Sequence, residues 1–333
     1  MKIAVLAPVA WRTPPRHYGP WEQMASNLTE GLAAKGVDVT LFATGDSLTK
    51  GRLEAVVPAG YEEDRETDAK VAECLHISNL MEQASGFDLI HNHFDFLPLT
   101  YSGLIKTPLI TTIHGFSSEK IIPVYQKYNS KGHYVSISNS DRHSSLHYLA
   151  TVYNGLQSEQ FTFRPDPDEY LLFFGRIHPD KGTAEAIEIA RKSGRQLIIA
   201  GIVQDAGYFK DKVEPQLDDQ IVFIGSAGPE KRNELLGHAA ALLHPINFDE
   251  PFGLSVAEAM FCGTPVVAFN RGSMPELIRD RETGFLVRDA DEAGACIADL
   301  SRIDRQACRD WAMDNFSQQK MVEDYIALYH QIL

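Results

Sequence analysis

The stretch YLLFFGRIHPDKGTAEAIEIARKSGRQLIIAGI, residues 170–202, decides the fold. An apolar run ends at Phe174, a Gly-Arg…Lys-Gly turn follows, a helical pattern GTAEAIEIARKSG comes next, and QLIIAGI closes the unit as a second apolar run. Strand, helix, strand, with both strands apolar throughout, reads as a parallel pair covered on both faces. The alternation recurs in both directions. KIAVLAP, VDVTLFA, FDLIHNH, PLITTIHG and YVSIS read as strands in the first half; YLLFFGR, QLIIAGI, IVFIG, AALLHP and TPVVAF do so in the second. Between strands, WEQMASNLTEGLAAKG sets Trp21, Met24, Ala25, Leu28 and Leu32 on one helical face.

The fold class expected is therefore α/β, with two doubly wound parallel-sheet domains. Periodicity lapses in QSEQFTFRPDPDEY, where Pro165 and Pro167 stiffen an acidic segment. This places a first domain at 1–156, a linker at 157–169 and a second domain at 170–317. A closing helix at 318–333 has Met321, Tyr325, Leu328, Tyr329 and Ile332 on one face. Doubly wound sheets bind ligands outside the carboxyl ends of their strands, so a cleft between the two domains is the expected site.

Composition narrows the class. The chain has 333 residues, 44% hydrophobic and 23% charged, enough for full cores. Net charge is −14 and uneven: residues 1–150 carry 13 Lys+Arg against 16 Asp+Glu, and the remainder 18 against 29. Neither a nucleic-acid partner nor an anionic membrane surface fits that balance. MKIAVLAPVAW reads as a buried first strand rather than a signal peptide, and no run of 18 apolar residues suggests a membrane span. Cys74, Cys262, Cys296 and Cys308 are scattered without CxxC spacing, which points to a reduced, cytoplasmic protein.

Two segments could carry chemistry. FFGRIHPDKG, residues 173–182, puts Arg176 and Lys181 at a strand's carboxyl end, where a guanidinium fork and an ammonium can clamp a diphosphate. A solvated turn is the alternative. The spacing is that of neither a P-loop nor a GxGxxG fingerprint. DEPFGLSVAEAM, residues 249–260, runs through a Pro-Phe-Gly turn into a small-residue helix. Gly253 permits close backbone approach, and the helix opening at Leu254 offers unpaired N–H groups to an anion. Glu250, on the loop, could address sugar hydroxyls or merely favour the helix end. Glu258, inside an apolar pattern, needs a partner, and the diol of a ribose would serve.

Other features have plainer readings. His143 and His147 stand four apart on an expected helix capped by Ser140 or Asn139, a metal-like spacing without the glutamate of HExxH. A packing role suits them better. His91, His93 and Asp95 gather at a strand end, where they could line an acceptor site or cap the strand.

Taken together, the E-x7-E pair Glu250/Glu258 around the PFG turn and the G-R-x4-K of Gly175, Arg176 and Lys181 resemble the retaining glycosyltransferases of family 4, with the two-Rossmann GT-B architecture. Within that family the sequence resembles the avilamycin-type and pterin glucosyltransferase-like subgroup. HYGPWEQ at 17–23, TTIHG at 111–115, VYNG at 152–155 and TPVVAFNRGSMPELI at 264–278 extend it over nearly the whole chain. The resemblance implies that Arg176 and Lys181 hold the donor diphosphate, that Glu258 holds the ribose, and that Glu250 with the backbone of Phe252, Gly253 and Leu254 positions the donor sugar. His114 would face the sugar, Gly19 would open the first helix toward the phosphates, and the base would lie against Ile224-Gly225-Ser226. The last helix would cross back to the first domain. Pro20 departs from the family's second loop glycine and removes one backbone donor.

The activity implied is front-face, configuration-retaining transfer of a hexose, glucose from UDP-glucose by subgroup likeness, to a small soluble acceptor. No cofactor and no metal is expected. The alternatives are a nucleotide-sugar epimerase or hydrolase on the same fold, or a nucleotide-sugar-binding protein without turnover. A paired-carboxylate glycosidase would have no use for the Arg/Lys clamp.

Overall fold

The computed structural model describes residues 1–64 and 66–333, which form two units: Met1–Leu156 with Gln318–Leu333, and Gln157–Ser317. The first unit contains β1 Lys2–Leu6, α1 Pro20–Ala34, β2 Asp38–Phe42, β3 Arg52–Glu54, α2 Ala69–Gln83, β4 Leu89–Asn92, β5 Leu109–Ile113, α3 Ile122–Lys127, β6 Tyr134–Ser136 and β7 Tyr148–Thr151. Its sheet is parallel in the order β3-β2-β1-β4-β5-β6-β7, so the winding reverses between β1 and β4. The crevice at the carboxyl ends of these two strands is where such a sheet offers a site.

The second unit contains β8 Leu171–Phe174, α4 Thr183–Ser193, β9 Leu197–Ala200, α5 Ala206–Tyr208, β10 Ile221–Phe223, α6 Pro229–His238, β11 Ala241–His244, α7 Leu254–Phe261, β12 Val266–Phe269, α8 Met274–Leu277, β13 Gly284–Val287, α9 Ala290–Cys296 and α10 Arg305–Phe316. Its parallel order is β10-β9-β8-β11-β12-β13, with the reversal between β8 and β11. The two doubly wound parallel sheets expected from the alternating pattern are present.

The last helix, α11 Gln318–Ile332, belongs to the first unit. Met321, Val322, Tyr325 and Tyr329 enter the same core as Ala25, Leu28 and Leu32 of α1 and Ile3 and Val5 of β1. Gln318 begins the docking: its N–H donates to the Leu156 carbonyl at 2.8 Å, and its side-chain amide donates to the Asn27 carbonyl at 2.6 Å. The opposite face of the sheet is covered separately, by Ile77, Leu80 and Met81 of α2 with Tyr125 and Tyr134. Burying each such side chain is worth roughly 1.5–3 kcal/mol relative to leaving it in water.

Two expectations are corrected. Residues 157–169 do not form a separate linker but pack within the second unit. Phe161 is buried and stacks on Phe261 at 5.6 Å, the Thr162 N–H donates to Asn233 at 2.9 Å, and the Arg164 N–H donates to the Cys262 carbonyl at 3.1 Å. The apolar residues beside the prolines find a core to enter. Residues 139–147 form turns and not a helix. Side chains there take the backbone donors that a helix would use: Ser138 Oγ accepts from the Asp141 N–H at 3.2 Å, and His143 Nδ1 accepts from the Ser145 N–H at 3.2 Å. His143 and His147 therefore do not share a helical face.

No helix among the described residues is long and apolar enough to cross a membrane.

Candidate active site

In the second unit, the residues singled out by sequence gather at the carboxyl ends of β8 and β11. After β8, the Gly175 and Ile177 N–H groups stay paired with the Ala200 and Ile202 carbonyls, at 3.1 and 2.8 Å. Between them, Arg176 is half-buried and its guanidinium donates to the Gln204 side chain. The chain then tightens into a turn at Pro179–Lys181 and enters α4 through Gly182, whose φ is 75°. A Cβ at Gly182 would stand 1.8 Å from the Pro245 carbonyl oxygen, so only glycine lets the loop after β8 pass against the loop after β11.

That close pass brings Lys181 to Glu250. Nζ lies 2.5 Å from Oε2, and 4.6 Å from the centre of the Phe248 ring. His244, the last residue of β11, is buried with Nε2 3.8 Å from the same carboxylate oxygen. Burial pushes the imidazole down to about 4, with the Glu250 charge opposing only in part, so it stands beside this pair as a neutral ring.

Beyond Glu250, the backbone turns into α7. Phe252 buries its side chain edge-on against Phe316, and its carbonyl accepts from Ser273 Oγ at 2.7 Å, so its side chain belongs to the core. Gly253 has φ 92° and caps α7 without a side-chain hydrogen bond, and a Cβ there would come within 2.8 Å of Met274 Cε. The helix end opening at Leu254 presents its N–H groups, with no acidic residue in the first turn. One turn on, Glu258 is 7% exposed and paired with Arg232 of α6 at 3.1 Å. Burial raises its carboxyl and the Arg232 charge opposes this. Arg232 is the partner that a buried carboxylate demands, and no local pattern announced it. Gly225 (φ 75°) follows β10 with open space where a Cβ would be, its carbonyl accepting from the Gly201 N–H at 2.8 Å.

In the first unit, Gly19 (φ 149°) caps α1 and Pro20 takes the first helical position, where its missing N–H costs nothing to the helix. Glu22 in that first turn is buried, its Oε1 accepting from the Trp11 N–H at 3.2 Å. Burial pushes its carboxyl up to about 7. His114, just past β5, is half-buried, stacks on Trp21 at 5.8 Å and shares a 2.9 Å hydrogen bond between its Nε2 and His93 Nδ1. Burial pushes His114 down to about 3.

The expected acceptor-lining role of His91 and His93 is corrected. Both are buried, His91 under α11: its Nδ1 meets the Tyr329 hydroxyl at 2.6 Å and its Nε2 meets Thr112 Oγ1 at 2.8 Å, leaving no ring nitrogen for a ligand. His93 is 1% exposed, and its ring packs between those of His91 and His114. Strand alternation put both on one face; the closing helix seals that face. Asp95 differs. It holds a left-handed backbone (φ 82°), accepts from the Tyr125 hydroxyl, and burial pushes its carboxyl up to about 6.

The comparisons with known proteins agree with the fold. The structure of AviGT4, a glycosyltransferase involved in avilamycin A biosynthesis, superposes with a TM-score of 0.74 over 100% of this chain and 98% of its own, at 24% identity. Anabaena Alr3699/HepE, solved in complex with UDP, gives 0.77 over 100% of both chains at 19% identity. The fold is thus that of the GT-B glycosyltransferases. Residues 22–151 match the model of Glycosyltransferase Family 4 and residues 157–311 that of Glycosyl transferases group 1. An uncharacterized glycosyltransferase of Methanocaldococcus jannaschii is 23% identical over 86% of this chain and 85% of its own length. Several other curated relatives are matched over less than half of their own length. The chain belongs to glycosyltransferase family 4.

Proposed function

We propose that this glycosyltransferase moves a hexose, glucose, from a nucleoside diphosphate sugar, UDP-glucose, to a small soluble acceptor with retention of configuration. The observation that carries the donor class is the gathering of Arg176, Lys181, Glu250, the α7 N-terminus and Glu258 at the switch point of one sheet. Two cations and a helix end suit a diphosphate, and the two carboxylates suit hydroxyl groups. Uridine and glucose are supported by Anabaena Alr3699/HepE, which was solved with UDP, with UDP and glucose, and with UDP-glucose.

On this reading, Arg176 and Lys181 neutralise the charge that develops on the leaving diphosphate, so that the transfer needs no metal. Glu250 releases Lys181 to the phosphate and turns to the sugar hydroxyls, while Glu258 accepts from the ribose. The acceptor hydroxyl attacks on the face that the diphosphate leaves, and its proton passes to the departing phosphate oxygen. Positioning accounts for the rest of the rate.

The test is a thermal-shift panel of UDP, GDP, ADP and their glucose, mannose and N-acetylglucosamine conjugates, with and without EDTA. A ligand at one hundred times its dissociation constant adds about 2.7 kcal/mol. A shift confined to the uridine compounds and indifferent to EDTA supports the reading. A shift with another base, or one abolished by EDTA, replaces the donor or the metal-free mechanism. The anomeric configuration of the product, read by NMR, decides retention.

A further inference from the structure

Three histidines stand in a row on one face of the first sheet. His91 and His93 rings lie 4.3 Å apart, and His93 and His114 rings 5.1 Å apart. The deep end of the row is closed, with both nitrogens of His91 held by Tyr329 and Thr112, and Thr112 Oγ1 in turn meeting the Tyr325 hydroxyl at 2.6 Å. At the outer end, Trp21 stacks on His114 with an interplanar angle of 23° and fixes the ring's plane. Between them, His93 makes one side-chain hydrogen bond, from Nδ1 to His114 Nε2 at 2.9 Å, and its own Nε2 is buried without a partner.

That unpartnered nitrogen decides the direction of the bond. Burial holds all three rings far below their ordinary pKa, so each is neutral and carries one N–H. If His114 donated from Nε2, His93 would have to keep its proton on Nε2, as a buried N–H with nothing to receive it. If His93 donates from Nδ1, its buried Nε2 is only a bare lone pair. Orphaned buried N–H donors are the rarer and costlier of the two. The proton therefore sits on His93 Nδ1, and His114 accepts it at Nε2. A neutral imidazole accepting at Nε2 carries its own proton on Nδ1. Among the described residues His114 Nδ1 has no hydrogen-bond partner, so that N–H is available.

We infer that His93 is a positioning residue that locks His114 as its Nδ1–H tautomer, so that His114 meets substrate as a hydrogen-bond donor to an oxygen and not as a general base. The identity of that oxygen, on the transferred hexose, rests on the function proposed above; the tautomer does not. Neither ring needs to change protonation during turnover. His93 gives His114 its direction, and Trp21 gives it its plane.

The experiment is long-range proton–nitrogen NMR of protein labelled with nitrogen-15 histidine, in which the two neutral tautomers and the imidazolium give distinct patterns. The His114 signals are identified by their loss in His114→Gln. The wild type is expected to show His114 as Nδ1–H at pH 7; an Nε2–H or imidazolium pattern overturns the inference. In His93→Phe, which keeps a ring but no donor, His114 should lose its fixed tautomer and show a mixture of Nδ1–H and Nε2–H. With the hexose donor, kcat should fall about tenfold, the worth of one misdirected hydrogen bond, while KM changes little. His93→Asn, whose amide can donate from the Nδ1 position, should recover part of that loss. An unchanged His114 pattern in His93→Phe also overturns the inference. Should His93→Phe fail to fold, the wild-type spectrum still decides. Should no sugar be transferred from any donor, the spectra, taken on the free protein, separate that failure from this one.

Discussion

Lys181 and Glu250 form a pair at 2.5 Å with 16% and 14% of their side chains exposed, joining the loop after β8 to the loop after β11. The two groups assigned to the diphosphate and to the sugar thus neutralise each other in the free protein. Removing one partner leaves the other charge largely buried, a loss that reaches about 3–5 kcal/mol in fully buried pairs. Lys181→Met should therefore destabilise the second unit by roughly 2–4 kcal/mol, scaled down for the remaining exposure. The double variant Lys181→Met/Glu250→Leu should regain much of that in urea unfolding while remaining inactive. A double variant no more stable than Lys181→Met would mean that the unpaired Glu250 carboxylate is not the source of the loss.

Glu258 and Glu250 should fail differently. Glu258 is assigned to the ribose, and a hydrogen bond to a charged group is worth about 1.5–3 kcal/mol, so Glu258→Gln should weaken UDP about 10- to 100-fold. Glu250→Gln should leave UDP affinity within a few-fold and lower kcat instead. Isothermal titration of UDP against both variants gives the comparison. Equal UDP affinity in wild type and Glu258→Gln would remove the ribose from Glu258.

The central strands were legible because a strand covered on both faces is apolar throughout, as Leu171–Phe174 and Val266–Phe269 are. The missed strands sit at the edges of the two sheets. Arg52–Glu54 reads Arg-Leu-Glu on an edge, Tyr148–Thr151 is only half-buried, and Gly284–Val287 follows a charged turn. In the site, the need of Glu258 for a partner could be read from its apolar surroundings. The partner could not, because Arg232 comes from another helix through tertiary packing. His91 and His93 were misplaced for a related reason. Alternation along a strand assigns a face, but what covers that face is decided by a helix more than 200 residues later.

Glu22 was also invisible to local pattern, since a glutamate in a first helical turn ordinarily reads as solvated and favourable. Here it is 3% exposed, and burial raises its carboxyl to about 7, with the Trp11 N–H pulling the other way. The folded protein then keeps a proton between pH 4.5 and 7 that the unfolded chain has released. Stability is thus fully present below about pH 4.5, falls as pH rises through 7, and levels off above it. The full change is on the order of 3 kcal/mol, most of it between pH 5 and pH 8. Glu22→Gln stays neutral and escapes the loss. Its advantage over wild type in urea unfolding should grow by most of that amount between pH 5 and pH 8, and a constant difference across the range would place the Glu22 carboxyl in ordinary solvent.

The contact between Tyr329 and His91 closes the buried end of the histidine row. The Tyr329 hydroxyl stands 2.6 Å from His91 Nδ1, and both residues are wholly buried. Tyr329→Phe keeps the ring in the core but leaves a buried imidazole nitrogen without its partner, a loss of about 1–3 kcal/mol. Because α11 reaches the sheet through Tyr325, Tyr329 and Met321, the loss should appear as faster amide exchange in that helix as well as a lower unfolding free energy. Turnover below the melting range should change less than twofold, since His91 is wholly buried with Thr112 still on its other ring nitrogen. A large fall in kcat with stability intact would mean that the row from Tyr329 to His114 acts as one chain, and that His93 is not where its direction is set.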